Sequence, residues 1–346
     1  MSYAVDADIA RAATLDPLFY RDADAHRRVL DRAFARSWQW IGRVDDVASP
    51  GALRPFTLLP GSLDEPLLLA RDDAGTLRCL SNVCTHRGNV LVREACAAKQ
   101  IRCGYHSRRF DLAGRMTFMP EMEGACDFPS AADDLPRVPM AGWDGHGFVS
   151  LDPAAPFDAF FDGVEPPDGT PLEAMRHHPS RDRQFTIDAH WALYVENYLE
   201  GFHIPFVHPA LHEAVDYGSY RTHLHRYANV QVALDKSGAV AARYAWIFPN
   251  LMLNFYPWGL SLNLVLPEGV SRTRVLFRTF VSDETKLERG AGAGLERVEA
   301  EDEAIVLAVQ RGVRSRLYRG GRYSPARESG VHHFHRLICE CLEPLQ

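Results

Sequence analysis

Two short stretches, Cys84-Thr-His86 and Cys103-Gly-Tyr-His106, constrain this chain more than anything else in it. Each offers one thiol and one imidazole, and sixteen residues separate them. Zinc sites usually pair like with like, as C-x₂₋₄-C and H-x₃₋₅-H, whereas each loop here mixes the two ligand types. The pattern suits a [2Fe–2S] cluster with both thiolates on one iron and both imidazoles on the other. The surrounding sequence reads as strands. Leu67 to Arg71 and Leu77 to Leu80 are apolar runs around the turn Asp72-Asp-Ala-Gly75. The other cysteines (Cys79, Cys96, Cys126, Cys339 and Cys341) follow no ligand pattern and read as small hydrophobes.

A second constellation is Asn197-Tyr-Leu-Glu200-Gly-Phe-His203-Ile-Pro205-Phe-Val-His208-Pro209. On a helix, Asn197, Glu200 and His203 lie along one face, while His208 points about 140° away from His203. Pro205 interrupts the ladder between the two histidines and Pro209 ends it, so both imidazoles can converge. Two histidines and one carboxylate make the facial triad that holds non-haem Fe(II) with positions left open.

The chain divides by texture. Residues from Ile9 to about Trp40 have helical character, and short strands run from 41 to 150. Asp152 to Pro167 has the composition of a linker, and 151–346 reads as a second domain. There, Val230–Leu234, Ala241–Phe248, Leu251–Tyr256, Leu260–Leu266 and Arg274–Val281 are strand candidates. Leu295 to about Tyr318 is a helix with Val298, Ile305, Val306 and Val309 as its apolar stripe. The fold expected is α+β: a helical arm over 1–40, a small all-β domain, and an antiparallel sheet with a long C-terminal helix.

A net charge of −7 argues against general binding to nucleic acid or an anionic membrane. No stretch approaches the roughly 18 apolar residues of a spanning helix, and the N-terminus lacks a signal-peptide pattern. Seven cysteines at irregular spacing do not suggest a disulfide framework, so a reducing cytoplasm is expected.

With both constellations quoted, the chain resembles the catalytic α subunits of Rieske non-haem iron oxygenases over nearly its whole length. The resemblance implies a helix-grip catalytic domain, a Rieske cluster on Cys84, His86, Cys103 and His106, and one mononuclear Fe(II) on His203, His208 and a third ligand. That ligand is expected in Glu301-Asp302-Glu303, with Asp302 the corresponding residue and its neighbours the rivals by spacing. It further implies a homotrimer in which Glu200 bridges the cluster of one subunit to the iron of the next, with Asn197 beside the catalytic site. Electrons are expected from a separate NAD(P)H-dependent reductase or ferredoxin, since no G-x-G-x-x-G and no plant-type Cys₄ spacing occurs here. Hydroxylation or oxidative dealkylation of an aromatic or quaternary-ammonium-like molecule is the expected reaction. Desaturation on the same iron is the alternative, and a non-catalytic ligand-binding or electron-carrier protein is the rival class. Seven aromatics, Tyr217, Tyr220, Trp246, Phe248, Phe255, Tyr256 and Trp258, are candidates for a pocket. One departure from the family stands out: Ser107-Arg108 follows the second cluster histidine where many members have Gly-Trp.

Overall fold

The computed structural model describes residues 3–167 and 172–343, which form two compact units. Residues 38–153 make one; residues 1–37 and 154–346 make the other.

The smaller unit is all β apart from short 3-10 turns. Its five-stranded sheet is built on the hairpin Glu65–Arg71 and Leu77–Ser81, in which Leu69 faces Cys79 across the ladder. The strand pair tolerates burial on both faces because Leu67, Leu68, Leu69 and Ala70 are all apolar. A three-stranded sheet of Ile101–Arg102, Arg109–Phe110 and Met116–Phe118 carries the second cysteine loop. Cys84 and Cys103 belong to the same core cluster as Leu68, Leu80, Ile101 and Phe110, so the loop bases are anchored in the apolar interior.

The larger unit is an eight-stranded antiparallel sheet. Arg221–Leu224 forms one edge, and Ala228–Leu234, Val240–Ile247, Leu251–Tyr256, Gly259–Gly269 and Arg272–Val281 follow in chain order. The last strand also pairs with Arg176–His177 and Arg183–Ile187. Among the described residues, seven α-helices accompany it: α1 (Ala23–Val29), α2 (Phe157–Phe160), α3 (Trp191–Tyr198), α4 (Ile204–Val207), α5 (Pro209–Ala214), α6 (Leu295–Gly312) and α7 (Ser329–Leu342). This is the expected α+β, helix-grip architecture, with α6 packed on α3 and α3 on the strand Gly259–Gly269.

An aromatic spine ties the helices to the sheet. Trp191 on α3 meets Phe34 at 4.9 Å and Phe334 of α7 at 5.6 Å, both edge to face, and Phe334 meets Trp246 of the sheet at 5.5 Å. Such pairs add to the burial of their large apolar areas. Trp246 and Phe255 are consumed in the core, each wholly buried.

Three local expectations are corrected. Residues 3–18 are not helical but a series of bends and turns, because Asp6, Asp8 and Asp16 take backbone N–H groups two residues on, and only the 3-10 turn Phe19–Arg21 precedes Asp22. The segment expected as a linker docks on the larger unit, with Phe160 buried and stacked on Tyr227 at 4.1 Å. On α6 only half of the expected apolar stripe faces inward: Val306 is buried and Val298 lines a cavity, whereas Ile305 and Val309 are exposed and the polar Gln310 is buried. Gln310 Oε1 accepts the His190 N–H at 2.6 Å just ahead of α3, so a polar side chain positions the helix that leads to the site. The helix itself ends at Gly312, short of Tyr318.

Gly330 lets α7 approach the end of α3. A Cβ there would lie 2.3 Å from the Leu199 carbonyl oxygen. Gly330→Ala is expected to destabilise the protein by about 1–3 kcal/mol through overpacking. Differential scanning calorimetry measures it, and an unchanged transition would contradict this close contact.

Candidate active site and cluster-binding loops

The two cysteine loops share one backbone design. Cys84 N–H donates to Asn89 O at 2.9 Å and Gly88 N–H returns to Cys84 O at 3.0 Å. In the second loop, Cys103 N–H donates to Arg108 O at 2.8 Å and Ser107 N–H returns to Cys103 O at 3.1 Å. The fifth residue of each loop has left-handed φ, +71° at Gly88 and +59° at Ser107, as the tight reversal requires. Similar turns thus present one Cys and one His each, despite spacings of C-x-H and C-x₂-H.

The side chains fit a [2Fe–2S] cluster with mixed ligands. Both thiols are buried and unpaired as disulfides, His86 is exposed, His106 is half-buried, and the imidazoles stand 4.8 Å apart. His106 Nδ1 is buried without a hydrogen-bond partner, as a nitrogen reserved for a metal would be. Cys103 Sγ accepts from Tyr105 N at 3.4 Å and Asn89 Nδ2 at 3.6 Å. Burial opposes the Cys103 thiolate, but the Tyr105 and His106 N–H groups outweigh it and lower its pKa. Arg108, at the departure from the family pattern, is buried, bonds the Asp133 carboxylate at 2.6 Å, and lies 5.6 Å from the Phe128 ring. A guanidinium with its own counter-ion thus helps wall the second loop.

In the larger unit, α3 begins at the fully buried His190, whose Nδ1 accepts Ala192 N–H at 3.2 Å. Burial holds this imidazole well below its ordinary pKa, keeping the nitrogen free to accept. The single helix expected through His203 is in fact broken. α3 stops at Tyr198, His203 is the N-cap of α4, and His208 both ends α4 and starts α5. Glu200 stabilises the break: its Oε2 accepts the backbone N–H of Phe202 and, at 3.0 Å, that of His203. Pro205 and Pro209 sit in the first turns of α4 and α5, where a missing N–H costs nothing. The kinks bring the two imidazoles to 5.1 Å between centroids.

α6 supplies the carboxylates. Asp302 Oδ1 lies 3.0 Å from His208 Nε2 and 3.6 Å from His203 Nε2, and it accepts Asn197 Nδ2 at 2.6 Å. Ligand atoms of His203, His208 and Asp302 all fall within 4.8 Å of one another, a group that can hold a metal ion. The opposite nitrogens are also occupied. Glu200 Oε1 is 2.7 Å from His203 Nδ1, and Glu301 Oε2 is 2.7 Å from His208 Nδ1. Glu301 is braced in turn by Arg297 at 2.9 Å. Burial lowers the His208 pKa, but the bonds and charges of Asp302 and Glu301 outweigh it and the net shift is upward. The His208 hydrogen bond in turn lowers that of Glu301.

A cavity of about 90 Å³ adjoins these groups. Five tyrosines line it, Tyr194, Tyr198, Tyr220, Tyr244 and Tyr256, and Glu299 closes one side. A larger cavity of about 530 Å³ shares Asn254, Tyr256, Asn263, Leu295 and Glu299 with the first. Of the aromatics singled out in the sequence, Tyr220 and Tyr256 line the inner cavity and Trp258 the outer. Tyr217 instead packs against Arg327 at 4.1 Å. Sequence reasoning missed Tyr194, Tyr198, Tyr244 and Glu299; the signal available for Glu299 was its position three residues before Asp302, on one helical face. Burial and the charges of Asp302 and Glu303 push the Glu299 carboxyl up to about 8.

Comparison with known proteins finds a domain match for each unit. Residues 37–136 match the Rieske [2Fe-2S] domain and residues 216–343 the catalytic domain of the ring hydroxylating alpha subunit. Choline monooxygenase of Arabidopsis thaliana is 28% identical over 95% of this chain and 83% of its own length. The carnitine monooxygenase oxygenase subunit of Escherichia coli strain K12 is 28% identical over 96% and 95%. Among solved structures, a quaternary ammonium Rieske monooxygenase shares the fold with a TM-score of 0.74, 21% identity, and coverage of 98% of this chain and 100% of that one. Naphthalene 1,2-dioxygenase shares it at 0.70, with 16% identity and coverage of 95% and 92%. A Rieske domain, a ring-hydroxylase catalytic domain and donor sets that fit both metal groups place the chain in one family: it belongs to the catalytic α subunits of the Rieske non-haem iron oxygenases, enzymes that carry one [2Fe–2S] cluster and one mononuclear Fe(II) per subunit.

Proposed function

We propose that this chain is the oxygenase component of a multicomponent monooxygenase acting on a small quaternary-ammonium substrate, which it hydroxylates or oxidatively dealkylates. The observation that carries the proposal is the inner cavity: five tyrosine rings beside His203, His208 and Asp302, with no Lys or Arg among its described lining residues. Aromatic rings attract a desolvated ammonium through their negative faces. The choline and carnitine monooxygenases among its relatives support the same substrate class. One oxygen atom enters a C–H bond, and the other leaves as water with two electrons and two protons.

In this reading Cys84, His86, Cys103 and His106 hold the cluster, while His203, His208 and Asp302 hold Fe(II). When bound, the cluster supplies single electrons and the Fe(II) activates dioxygen. The protein's own contribution is orientation. Glu200 and Glu301 each accept a proton-bearing Nδ1, which fixes the tautomer and aims both Nε2 atoms at the shared point. Asn197 holds Asp302 in place by its 2.6 Å hydrogen bond. The tyrosine-lined cavity confines the substrate next to that point.

Electrons come from a separate NAD(P)H-dependent reductase or ferredoxin, and the subunits assemble as a homotrimer in the cytoplasm. The exposed Phe206 and Phe202, 6.2 Å apart on the site loop, form an apolar patch suited to a subunit interface. No helix among the described residues is long and apolar enough to cross a membrane. Glu200 retains free lone pairs after its bonds to His203 and Phe202, and these serve the bridge to a cluster histidine of the neighbouring subunit.

Anaerobically purified protein is expected to contain about three irons per chain. His203→Ala, His208→Ala or Asp302→Ala should lower this to about two while keeping the visible spectrum of the cluster. Glu301→Gln should weaken retention of the mononuclear iron by about 10–100-fold. Metal analysis after dialysis against a chelator reads both. In Glu200→Gln both sites should stay loaded, yet oxidation of the pre-reduced cluster in a single turnover should slow by about tenfold or more. A wild-type rate there would assign electron transfer to another route. Substrate-dependent consumption of oxygen, screened with choline and carnitine against aromatic hydrocarbons, tests the substrate class itself.

A further inference from the structure

The carboxylates around the inner cavity do not all have the same employment. Glu200 is committed to His203, Glu301 to His208 and Arg297, and Asp302 to His208 and Asn197. Glu299 is committed to none of these. Its Oε2 accepts the Tyr194 hydroxyl at 2.7 Å, and among the described residues no Lys or Arg forms an ion pair with it; the positive charge that acts on it is that of His208. The side chain is half-buried, and it borders the inner and outer cavities at once. A carboxylate removed from bulk water with one neutral donor is poorly compensated, and a cation in the cavity would supply what it lacks.

The bases of the outer cavity have the opposite status. Arg181 is paired with Glu288 at 2.7 Å, Arg183 with Glu296, and Arg297 with Glu301 at 2.9 Å. A substrate carboxylate entering here would find each of these bases already neutralised by an acid, and it would meet the field of Glu299 and Glu303. The cavity is thus built to accept positive charge and to disfavour negative charge.

We infer that Glu299 is the counter-ion for the substrate's cationic nitrogen, and that the substrate is a small ammonium compound carrying no carboxylate. This rests on the reaction proposed above and narrows it to the non-zwitterionic members of the class. Tyr194 is the residue that orients Glu299, since its hydroxyl fixes one carboxylate oxygen of a side chain that lines both cavities. Specificity then arises from two elements: tyrosine rings that suit any alkylammonium, and a single charge that separates a cation from its neutral or zwitterionic analogue.

The test is isothermal titration calorimetry on the full-length oxygenase with both metal sites loaded, under anaerobic conditions. The probes are choline, its uncharged carbon isostere 3,3-dimethylbutan-1-ol, and carnitine. Wild-type protein should bind choline about tenfold or more tightly than either of the others. Glu299→Gln should abolish the preference for charge, and Glu299→Asp, which keeps it, should restore most of it. Equal wild-type affinity for choline and its neutral isostere, or for choline and carnitine, overturns the inference, and this comparison needs no variant. Unchanged choline affinity in Glu299→Gln, with oxygen-dependent turnover of choline intact in the wild type, removes the role of Glu299 and leaves the proposed reaction standing. A wild-type protein that neither binds nor oxidises any quaternary ammonium compound removes both.

Discussion

An imidazole has two nitrogens, and this site works only if the right one is left free. That constraint is met by a carboxylate behind each histidine: Glu200 on His203 Nδ1 and Glu301 on His208 Nδ1, both at 2.7 Å. Each contact favours the Nδ1–H tautomer and turns both Nε2 atoms to the Asp302 side, where they could share a metal ion with that carboxylate. The two acids come from different places. Glu200 lies on the kinked segment that carries the histidines, whereas Glu301 comes from α6, so docking of α6 on α3 completes the arrangement.

Much of the larger unit serves that docking. Gln310 reaches from α6 to the backbone of His190 at the start of α3, and Tyr194 on α3 bonds Glu299 on α6. The aromatic spine from Phe34 through Trp191 and Phe334 to Trp246 fixes α3 against the sheet. Consecutive residues of α6 then hold opposite nitrogens of one ring, Glu301 at Nδ1 and Asp302 at Nε2 of His208. Residues one apart on a helix point about 100° apart, so they can grip a ring inserted between them.

The smaller unit solves a related problem differently. Its four candidate ligands lie on two turns with matching hydrogen bonds, and the turns are rooted in apolar core by Cys84 and Cys103. The thiols sit inside and the imidazoles toward the surface, an arrangement that would keep the thiolate side of a cluster held there dry and the imidazole side near solvent. Amide donors on Cys103 and the buried Arg108–Asp133 pair set the local electrostatics.

The sequence by itself determined which loops and which segment offer the candidate ligands. C-x-H with C-x₂-H is a local pattern, and two histidines spaced around prolines encode their own kink, since proline removes the helical hydrogen bond wherever it stands. Strand positions in the sheet were legible for the same reason: alternation and turn residues act over a few neighbours. Local pattern could not divide the roles of Glu299, Glu301, Asp302 and Glu303, four acids within five positions of one helix. Nor could it foresee that Tyr194, Tyr198 and Tyr244 would share a cavity with Tyr220 and Tyr256. Those assignments depend on the rotation of α6 about its axis and on which sheet face it covers. Both are fixed by contacts between residues about a hundred positions apart, such as His190 with Gln310 and His208 with Glu301, and only the tertiary structure brings such partners together.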